Sequence, residues 1–480
     1  MKHKMLSGVF WQGLASVGNK GLNFLFSIIL ARLLAPEDFG CIAILMIFIV
    51  IAEVFCDSGF VIALVQKKDA DDIDCSCVFY INILVSLVLY LIFFCSAPWI
   101  AQFYRDARLC TYFRWLALGT VIRAFALVQW ALLTKRMLFQ VNFKLTIGTL
   151  AISGPLGITL AYCNFGVWAL IIQHLASMAI TTIMLWWMVK WRPQWIFVWA
   201  RVKTLFRFGS KMLVTSLLDT AFNNLFGLVV GRIFNLTILA YYNRGRHIPE
   251  TGMSVINSTI SAVTLPAFSE IQDDRSRMRT VMQKSLKIIM FFVCPAMGLL
   301  ATLATPLVTV LLTEKWLPCV IFLQLSCLTF VVRPLHTLNL QVITACGRSD
   351  IMLTLEIIKK IQIVAILLLT YPLGVVSMVS GIAINSLLCA LENAWPNRKL
   401  IQYSIGSQLI SFLPYVIWTG ISTGTTLLLV SRFHVSPWLH LGIGSVFFGI
   451  VYLGGLLLSH AVPPEIADLT KAFRLRIMQI

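Results

Sequence analysis

The chain has 480 residues, of which 59% are apolar and only 12% are charged, and its formal net charge is +18. Soluble domains are about 45–50% apolar and about 25% charged, so this composition excludes a soluble enzyme, a disordered protein and a fibre. It also argues against a transmembrane β-barrel, whose alternating strands give only a weak apolar signal.

Apolar runs between charged or turn-rich breaks predict about fourteen transmembrane helices. We place these helices at 9–34, 40–65, 76–101, 110–133, 143–162, 166–189, 206–233, 247–268, 285–312, 318–344, 353–371, 374–395, 407–430 and 436–459. The first and the eighth contain more polar residues than the others. The predicted class is an all-α integral membrane protein.

Lysine and arginine are unequally divided between alternate loops. The loops on the same side as the N-terminus hold 23 of them. The opposite set holds only Arg105, Arg108, Arg244, Arg246, Lys315 and Arg432. Because cytoplasmic loops carry the excess of basic residues, we predict that both termini lie in the cytoplasm. Most of the net charge is then a topology signal, and we expect no nucleic-acid partner.

The sequence offers no pattern for a metal, a nucleotide or a catalytic domain. Most of the twelve cysteines lie in apolar runs, which is typical of buried, unpaired thiols. Cys75 and Cys77 are too close for a zinc site and have no second pair. A G-x-x-x-x-G-K-[ST] phosphate-binding loop is absent. We therefore expect no metal, no cofactor and no enzymatic activity.

Two pairs of similar segments indicate an internal repeat. Asn23–Leu33 resembles Asn223–Ile233, and Val121–Ala124 resembles Val331–Pro334. The matching arginines are Arg32 with Arg232 and Arg123 with Arg333. The spacing predicts two parallel six-helix lobes, with the substrate path between them. We assign the N-lobe with helices 1–6 to 1–200, the C-lobe with helices 7–12 to 201–400, and helices 13 and 14 with a cytoplasmic tail to 401–480.

Ionisable groups inside membrane spans are costly and normally face a cavity or a partner. Basic groups outnumber acidic ones in the predicted spans, which suits an anionic passenger. The candidate substrate-binding residues are Arg32, Arg123, Arg232, Arg333, Lys20 and Lys211. The candidates for ion coupling, or alternatively for structural ion pairs, are Glu53, Asp57 and Asp219.

Local pairing is the alternative reading for these acids. Glu53 and Asp57 lie one helical turn apart, and Arg32 or Lys20 would be their partners. Asp219 would pair with Lys211, which lies on a similar helix face. We expect His174 to be a hydrogen-bonded core residue rather than a proton relay.

Four stretches carry a family resemblance. They are Ile29–Gly40 (ILARLLAPEDFG), Asp57–Phe60 with Gln66–Asp69 (DSGF and QKKD), Leu265–Asp274 (LPAFSEIQDD) and Glu314–Pro318 (EKWLP). They resemble the polysaccharide-exporting flippases of the multidrug/oligosaccharidyl-lipid/polysaccharide exporter superfamily, near its colanic acid and teichuronic acid transporters. The likeness covers roughly residues 5–400.

The resemblance implies two six-helix lobes in a V around a central cavity, with two further helices. It implies transport of undecaprenyl-diphosphate-linked oligosaccharide to the periplasmic leaflet for O-antigen, capsule or exopolysaccharide synthesis, with no bond made or broken. Membrane lipids, coupling H⁺ or Na⁺ and a polysaccharide polymerase machinery are the implied partners. The alternative is a cation-coupled drug or metabolite antiporter on the same scaffold. A membrane glycosyltransferase or polymerase is disfavoured by the short outer loops.

Overall fold

The computed structural model describes residues 2–57, 61–67, 69–136, 139–432 and 436–466, and this part of the chain forms helices and no strand. The helices are α1 (Lys2–Leu33), α2 (Pro36–Cys56), α3 (Ile62–Gln66), α4 (Asp72–Tyr104), α5 (Arg108–Ala124), α6 (Leu127–Lys135), α7 (Phe139–Tyr162), α8 (Val167–Met188), α9 (Trp199–Ile233), α10 (Leu236–Glu270), α11 (Arg275–Thr302), α12 (Ala304–Leu312), α13 (Val320–Val331), α14 (Arg333–Ala345), α15 (Ser349–Thr370), α16 (Val375–Ala394), α17 (Asn397–Leu400), α18 (Ile405–Arg432) and α19 (Pro437–Leu458). The predicted all-α class is confirmed.

Each predicted span falls on one helix or on consecutive short helices. Within the described ranges, ten helices are long and apolar enough to cross a membrane, or eleven if the bent pair α5 and α6 is one span. The other three predicted spans lie on α1, α10 and α15. In α15, for example, Glu356, Lys359 and Lys360 fall together in the middle of the helix. The total of fourteen stays a prediction.

The chain divides into two compact units, residues 1–240 and 241–480. In the first, α7 packs between α1 and α8, α4 packs on α5, and α9 packs on α2 and α4. In the second, α18 packs between α11 and α19, and α16 packs between α13 and α15. The helix that the repeat assigns to the start of the C-lobe thus packs within the first unit. The lobe boundaries at residues 200 and 400 stay predictions.

Helix starts follow from local chemistry. Asp71 caps α4 by accepting a hydrogen bond from the backbone N of Asp74 at 2.8 Å, and Asp274 caps α11 through the backbone N of Arg277 at 2.9 Å. Pro36 opens α2 and Pro437 opens α19, where their missing N–H groups cost nothing. Large apolar side chains such as Leu91, Ile361 and Leu428 are exposed, which suits a surface that faces lipid.

Both spans that contain a repeat-related central arginine are interrupted there. The axes of α5 and α6 are bent by 44° just after Arg123. The helices α13 and α14 meet at Val332, immediately before Arg333 and Pro334. A break leaves backbone carbonyls without an intrahelical partner, and a membrane interior offers no water to replace it.

In each unit, the helix two spans later supplies hydrogen bonds to the interrupted span. From α8, the indole N of Trp186 donates to the carbonyl of Phe125 at 2.8 Å, and the hydroxyl of Thr182 donates to that of Ile122 at 3.2 Å. From α16, the hydroxyl of Ser386 donates to the carbonyl of Thr329 at 2.9 Å. In both units, side chains of the helix two spans later thus donate hydrogen bonds to carbonyls of the interrupted span, which supports the internal repeat.

Candidate functional site

A polar cluster lies at the bend of the first unit. Arg123, in the last turn of α5, donates from Nη1 to Oε1 of Glu53 at 3.1 Å and from Nη2 to Oδ2 of Asp57. The two acids lie one turn apart at the end of α2. The sequence suggested Arg32 or Lys20 as their partner, and the partner that the structure shows is Arg123. The cluster carries a formal charge of −1 when all three groups are ionised.

His174 of α8 completes this cluster. Its Cδ2 lies near Gly119, one turn before Arg123. The Nε2 of His174 and the Oδ1 of Asp57 are buried and have no hydrogen-bond partner among the described residues. The expectation of a hydrogen-bonded core histidine is therefore wrong for this nitrogen. Two carboxylates facing one guanidinium leave a surplus negative charge, which a proton can neutralise.

The second unit contains a cluster of the opposite sign. Arg246 of α10 forms a bidentate ion pair with Glu250, with Nε–Oε2 and Nη2–Oε1 distances of 3.1 Å each. Its Nη1 also donates a hydrogen bond to the hydroxyl of Tyr242 at 3.1 Å. The guanidinium carbons of Arg333 and Arg246 lie 5.3 and 5.9 Å from the centre of the Phe330 ring. The charge of Arg333 interacts with those of Glu250 and Arg246. The formal charge of this cluster is +1.

Arg123 and Arg333 therefore match in the repeat but differ in electrostatic surroundings. Two carboxylates pair with Arg123, whereas the second cluster holds two guanidinium groups and the single carboxylate of Glu250, which is paired with Arg246. Arg333 is exposed in this unit, and its fork of N–H donors suits a phosphate group. The cationic cluster can thus bind an anion, and the anionic cluster can bind a proton.

The remaining predicted residues lie elsewhere. The guanidinium of Arg232 stacks 4.8 Å from the centre of the Phe103 ring and lines a cavity of about 540 Å³ with Arg105 and Arg108. The others are spread over α1 and α9: Arg32 is exposed, Lys20 is half-buried and Asp219 is exposed. The side chain of Lys211 lies outside the described residues. Among the contacts that the structure describes, those of Arg123 join it to two further members of the predicted set, Glu53 and Asp57.

Arg246 is not among the residues predicted from the sequence. The prediction that Arg244 and Arg246 lie in a loop is wrong, because α10 begins at Leu236. These charges lower the hydropathy of the segment, so the apolar window began only at residue 247. The spacing of Arg246 and Glu250, four residues apart, was the available signal, since such pairs face each other on a helix.

Among the residues with described side chains, no group of three His, Cys, Asp or Glu is arranged to hold a metal ion.

Comparisons with known proteins agree with this architecture. A family model described as "Polysaccharide biosynthesis protein" matches residues 29–321. The lipopolysaccharide biosynthesis protein WzxC of Escherichia coli is 24% identical over 400 residues, which are 82% of this chain and 80% of that protein. The teichuronic acid biosynthesis protein TuaB of Bacillus subtilis is 24% identical over 351 residues, 72% of each chain.

Solved structures show the same fold. The lipid II flippase MurJ, in an inward closed conformation, aligns with a TM-score of 0.75 at 14% identity, covering 94% of this chain and 98% of that one. An inward-facing multidrug resistance MATE transporter of the MOP superfamily aligns with a TM-score of 0.58 at 16% identity, covering 86% and 98%. The resemblance to polysaccharide-exporting proteins inferred from the sequence is confirmed by the family model and by the relatives WzxC and TuaB.

Proposed function

The chain belongs to the polysaccharide biosynthesis protein family, and from this membership we propose that it is a lipid-linked oligosaccharide flippase. It is a multi-pass membrane protein, and its substrate would be an undecaprenyl-diphosphate-linked oligosaccharide moved to the periplasmic leaflet of a bacterial inner membrane. The relatives WzxC and TuaB, which act in lipopolysaccharide and teichuronic acid biosynthesis, support this class of cargo. A polysaccharide polymerase would then take up the translocated unit.

The cationic cluster of Arg246 and Arg333 carries the proposal. A diphosphate in the membrane interior needs positive charge nearby, because uncompensated charge there costs several kcal/mol. Arg333 is exposed and always protonated, and Arg246 next to it is held in place by Glu250 and Tyr242. We assign the diphosphate to this pair, with the lipid tail left in the bilayer. Transport by alternating access makes and breaks no covalent bond.

The anionic cluster of Glu53, Asp57 and Arg123 supports coupling to a proton. When the surplus carboxylate is protonated, the cluster is neutral, and when it is ionised, Arg123 is held by two acids at once. A change in protonation therefore alters how strongly α2 is tied to α5. Sodium in place of the proton is the other coupling ion that the superfamily likeness allows.

A cation-coupled drug antiporter is the second candidate, and the same anionic cluster is the observation that favours it. The fold alignment with a multidrug transporter is compatible with this alternative. The surplus positive charge in the second unit favours an anionic passenger instead.

The test is complementation of a strain that lacks the gene. We expect Arg333→Ala and Arg246→Ala to lower polysaccharide export about tenfold or more, the size expected when charge-assisted hydrogen bonds of ~1.5–3 kcal/mol are lost. Arg333→Lys should retain part of the activity. Arg348→Ala, which removes an exposed arginine paired with Asp350 in the same unit, is the matched control.

Protein in the membrane is quantified for each variant. Full export by the Arg246→Ala, Arg333→Ala double variant would refute the assigned role. Normal polysaccharide export in the deletion strain, together with a raised sensitivity to cationic drugs, would favour the antiporter.

A further inference from the structure

A second cavity, of about 460 Å³, lies in the first unit where α1, α6, α7 and α8 meet. Of the ten described residues that line it, seven are Asn, Ser or Thr, one is Trp130, and none is charged. It is distinct from the cluster around Arg123, which shares no residue with it. Its volume falls in the range of roughly 300–1,000 Å³ that is typical of small-molecule sites.

The cavity contains unused hydrogen-bonding capacity. The hydroxyls of Thr149 and Thr181 pair with each other at 3.0 Å. Over the described ranges, the hydroxyls of Thr146 and Ser177 have no hydrogen-bond partner. Elsewhere on α7, Thr159 donates to the carbonyl of Leu156 at 2.9 Å, which is how hydroxyls on membrane helices are commonly satisfied.

Helix packing alone does not account for this arrangement. Polar residues that join membrane helices do so by pairing across the contact, as Thr149 and Thr181 do. Thr146 on α7 and Ser177 on α8 line the same cavity without making such a pair. Hydroxyls that face a cavity unpaired are available to a ligand that brings both donors and acceptors.

We propose that this cavity binds the sugar units of the cargo. A sugar ring presents hydroxyls that donate and accept around its edge, and C–H groups on its faces that pack on an aromatic ring. The amides and hydroxyls of the cavity can hydrogen-bond to the hydroxyls at the edge of the sugar ring, and the indole of Trp130 can pack against the C–H groups of one face. A phosphate would need cations, and a lipid tail would need an apolar wall. The assignment rests on the proposed flippase function and adds the part of the substrate that is recognised.

The place of the cavity suits an entry site. Trp130 lies in the middle of the short helix α6 and Asn142 near the start of α7, on either side of a loop that the charge distribution predicts to be cytoplasmic. An oligosaccharide assembled in the cytoplasm would meet this cavity before translocation. The absence of charge among its lining residues favours neutral sugar units over acidic ones.

The first test removes the two hydroxyls while keeping the side-chain shapes. We expect the Thr146→Val, Ser177→Ala double variant to lower polysaccharide export about tenfold with an unchanged amount of protein in the membrane. Thr159→Val, which removes a hydroxyl of the same helix outside the cavity, is the matched control and should export normally. Export at the wild-type level by the double variant would overturn the proposal.

A second test measures occupancy directly. In purified Ser177→Cys protein, maleimide labelling of the introduced thiol is followed by peptide mass spectrometry. Lipid-linked oligosaccharide extracted from the producing strain should slow labelling severalfold, and undecaprenyl diphosphate alone should not. Equal protection by both lipids would refute sugar binding here. If the arginine variants abolish export while the hydroxyl variants do not, only this inference fails, whereas normal export by the strain that lacks the gene removes the flippase function itself.

Discussion

At the scale of single residues, Arg123 joins two helices of the first unit, because from α5 it donates hydrogen bonds to Glu53 and Asp57 of α2. The match of Arg123 with Arg333 was visible as a repeat, and Glu53 and Asp57 were visible as acids on one helix face. Their pairing depends on how α2 packs on α5, across about seventy residues of chain, and no local pattern encodes it. Arg246 was missed because its own charge masked the helix that contains it.

The neutralisation of Glu53 and Asp57 by Arg123 can be tested by measuring the thermal stability of the protein. Arg123→Ala leaves Glu53 and Asp57 without a cation, and we expect it to lower the unfolding temperature of the detergent-purified protein. Loss of one partner from a buried pair costs up to ~3–5 kcal/mol, and the partial exposure of these side chains reduces that figure. The triple variant Glu53→Gln, Asp57→Asn, Arg123→Gln should recover most of the lost stability while losing export.

The comparison separates electrostatics from packing. A triple variant no more stable than Arg123→Ala would show that the arginine contributes by packing and not by neutralising the acids.

At the scale of helices, the sequence located the spans well and their interruptions poorly. Pro334 signals the break before α14. The break between α5 and α6 has no proline, and the groups that satisfy its carbonyls, Thr182 and Trp186, lie on α8, some sixty residues away. Apolar periodicity cannot report hydrogen bonds of that kind, because they join segments that become neighbours only in the folded chain.

Removing the hydroxyl that caps the second break should destabilise the protein. Ser386→Ala leaves the carbonyl of Thr329 without this donor, and a buried polar group left unsatisfied costs about 1–3 kcal/mol. Ser377→Ala on the same helix is the control, because the Ser377 hydroxyl makes a solvent-accessible hydrogen bond to the carbonyl of Leu373, one turn back. Thermal unfolding in detergent measures both. Equal effects of the two substitutions would contradict a specific capping role.

The start of α9 is tied to the start of α4 by a pH-dependent contact. Nη1 of Arg201 lies 2.6 Å from Oδ2 of Asp71. The hydrogen bond from Arg201, helped by the backbone N–H of Asp74, lowers the pKa of Asp71 to about 2. An unfolded aspartate titrates near ~3.9. The stabilisation is therefore present above about pH 4 and is lost as the pH falls towards 2.

Asp71→Asn tests this contact because it keeps an oxygen for the helix cap and removes the charge. We expect the variant to unfold at a slightly lower temperature than the wild type at pH 6, with the gap narrowing as the pH is lowered to 3. Asp69→Asn removes a nearby exposed charge and serves as the control. A gap that stays constant with pH would show that the cap, and not the ion pair, stabilises this junction.

At the scale of the molecule, the same helices have to be apolar enough to cross the membrane and polar enough to bind a charged passenger. The spans that fall below the apolar threshold include α10, which contains Arg246 and Glu250, and α15, which contains Glu356 and Lys359. A helix that binds a charged passenger cannot also be uniformly apolar. The charged residues of α10 and α15 therefore explain why these two helices are less apolar than the other predicted spans.

The topology of α9 and α10 is the sharpest test of the whole arrangement. If both cross the membrane, reporters inserted after residues 200 and 280 lie in the cytoplasm, and one inserted after residue 235 lies in the periplasm. If the polar helix α10 fails to cross, the reporter after residue 280 reads periplasmic, and Arg246 with Glu250 then lies outside the membrane. We expect fluorescent-protein activity at 200 and 280 and alkaline-phosphatase activity at 235. The opposite result at 280 would remove the cationic cluster from the membrane and with it the diphosphate site that the proposed function requires.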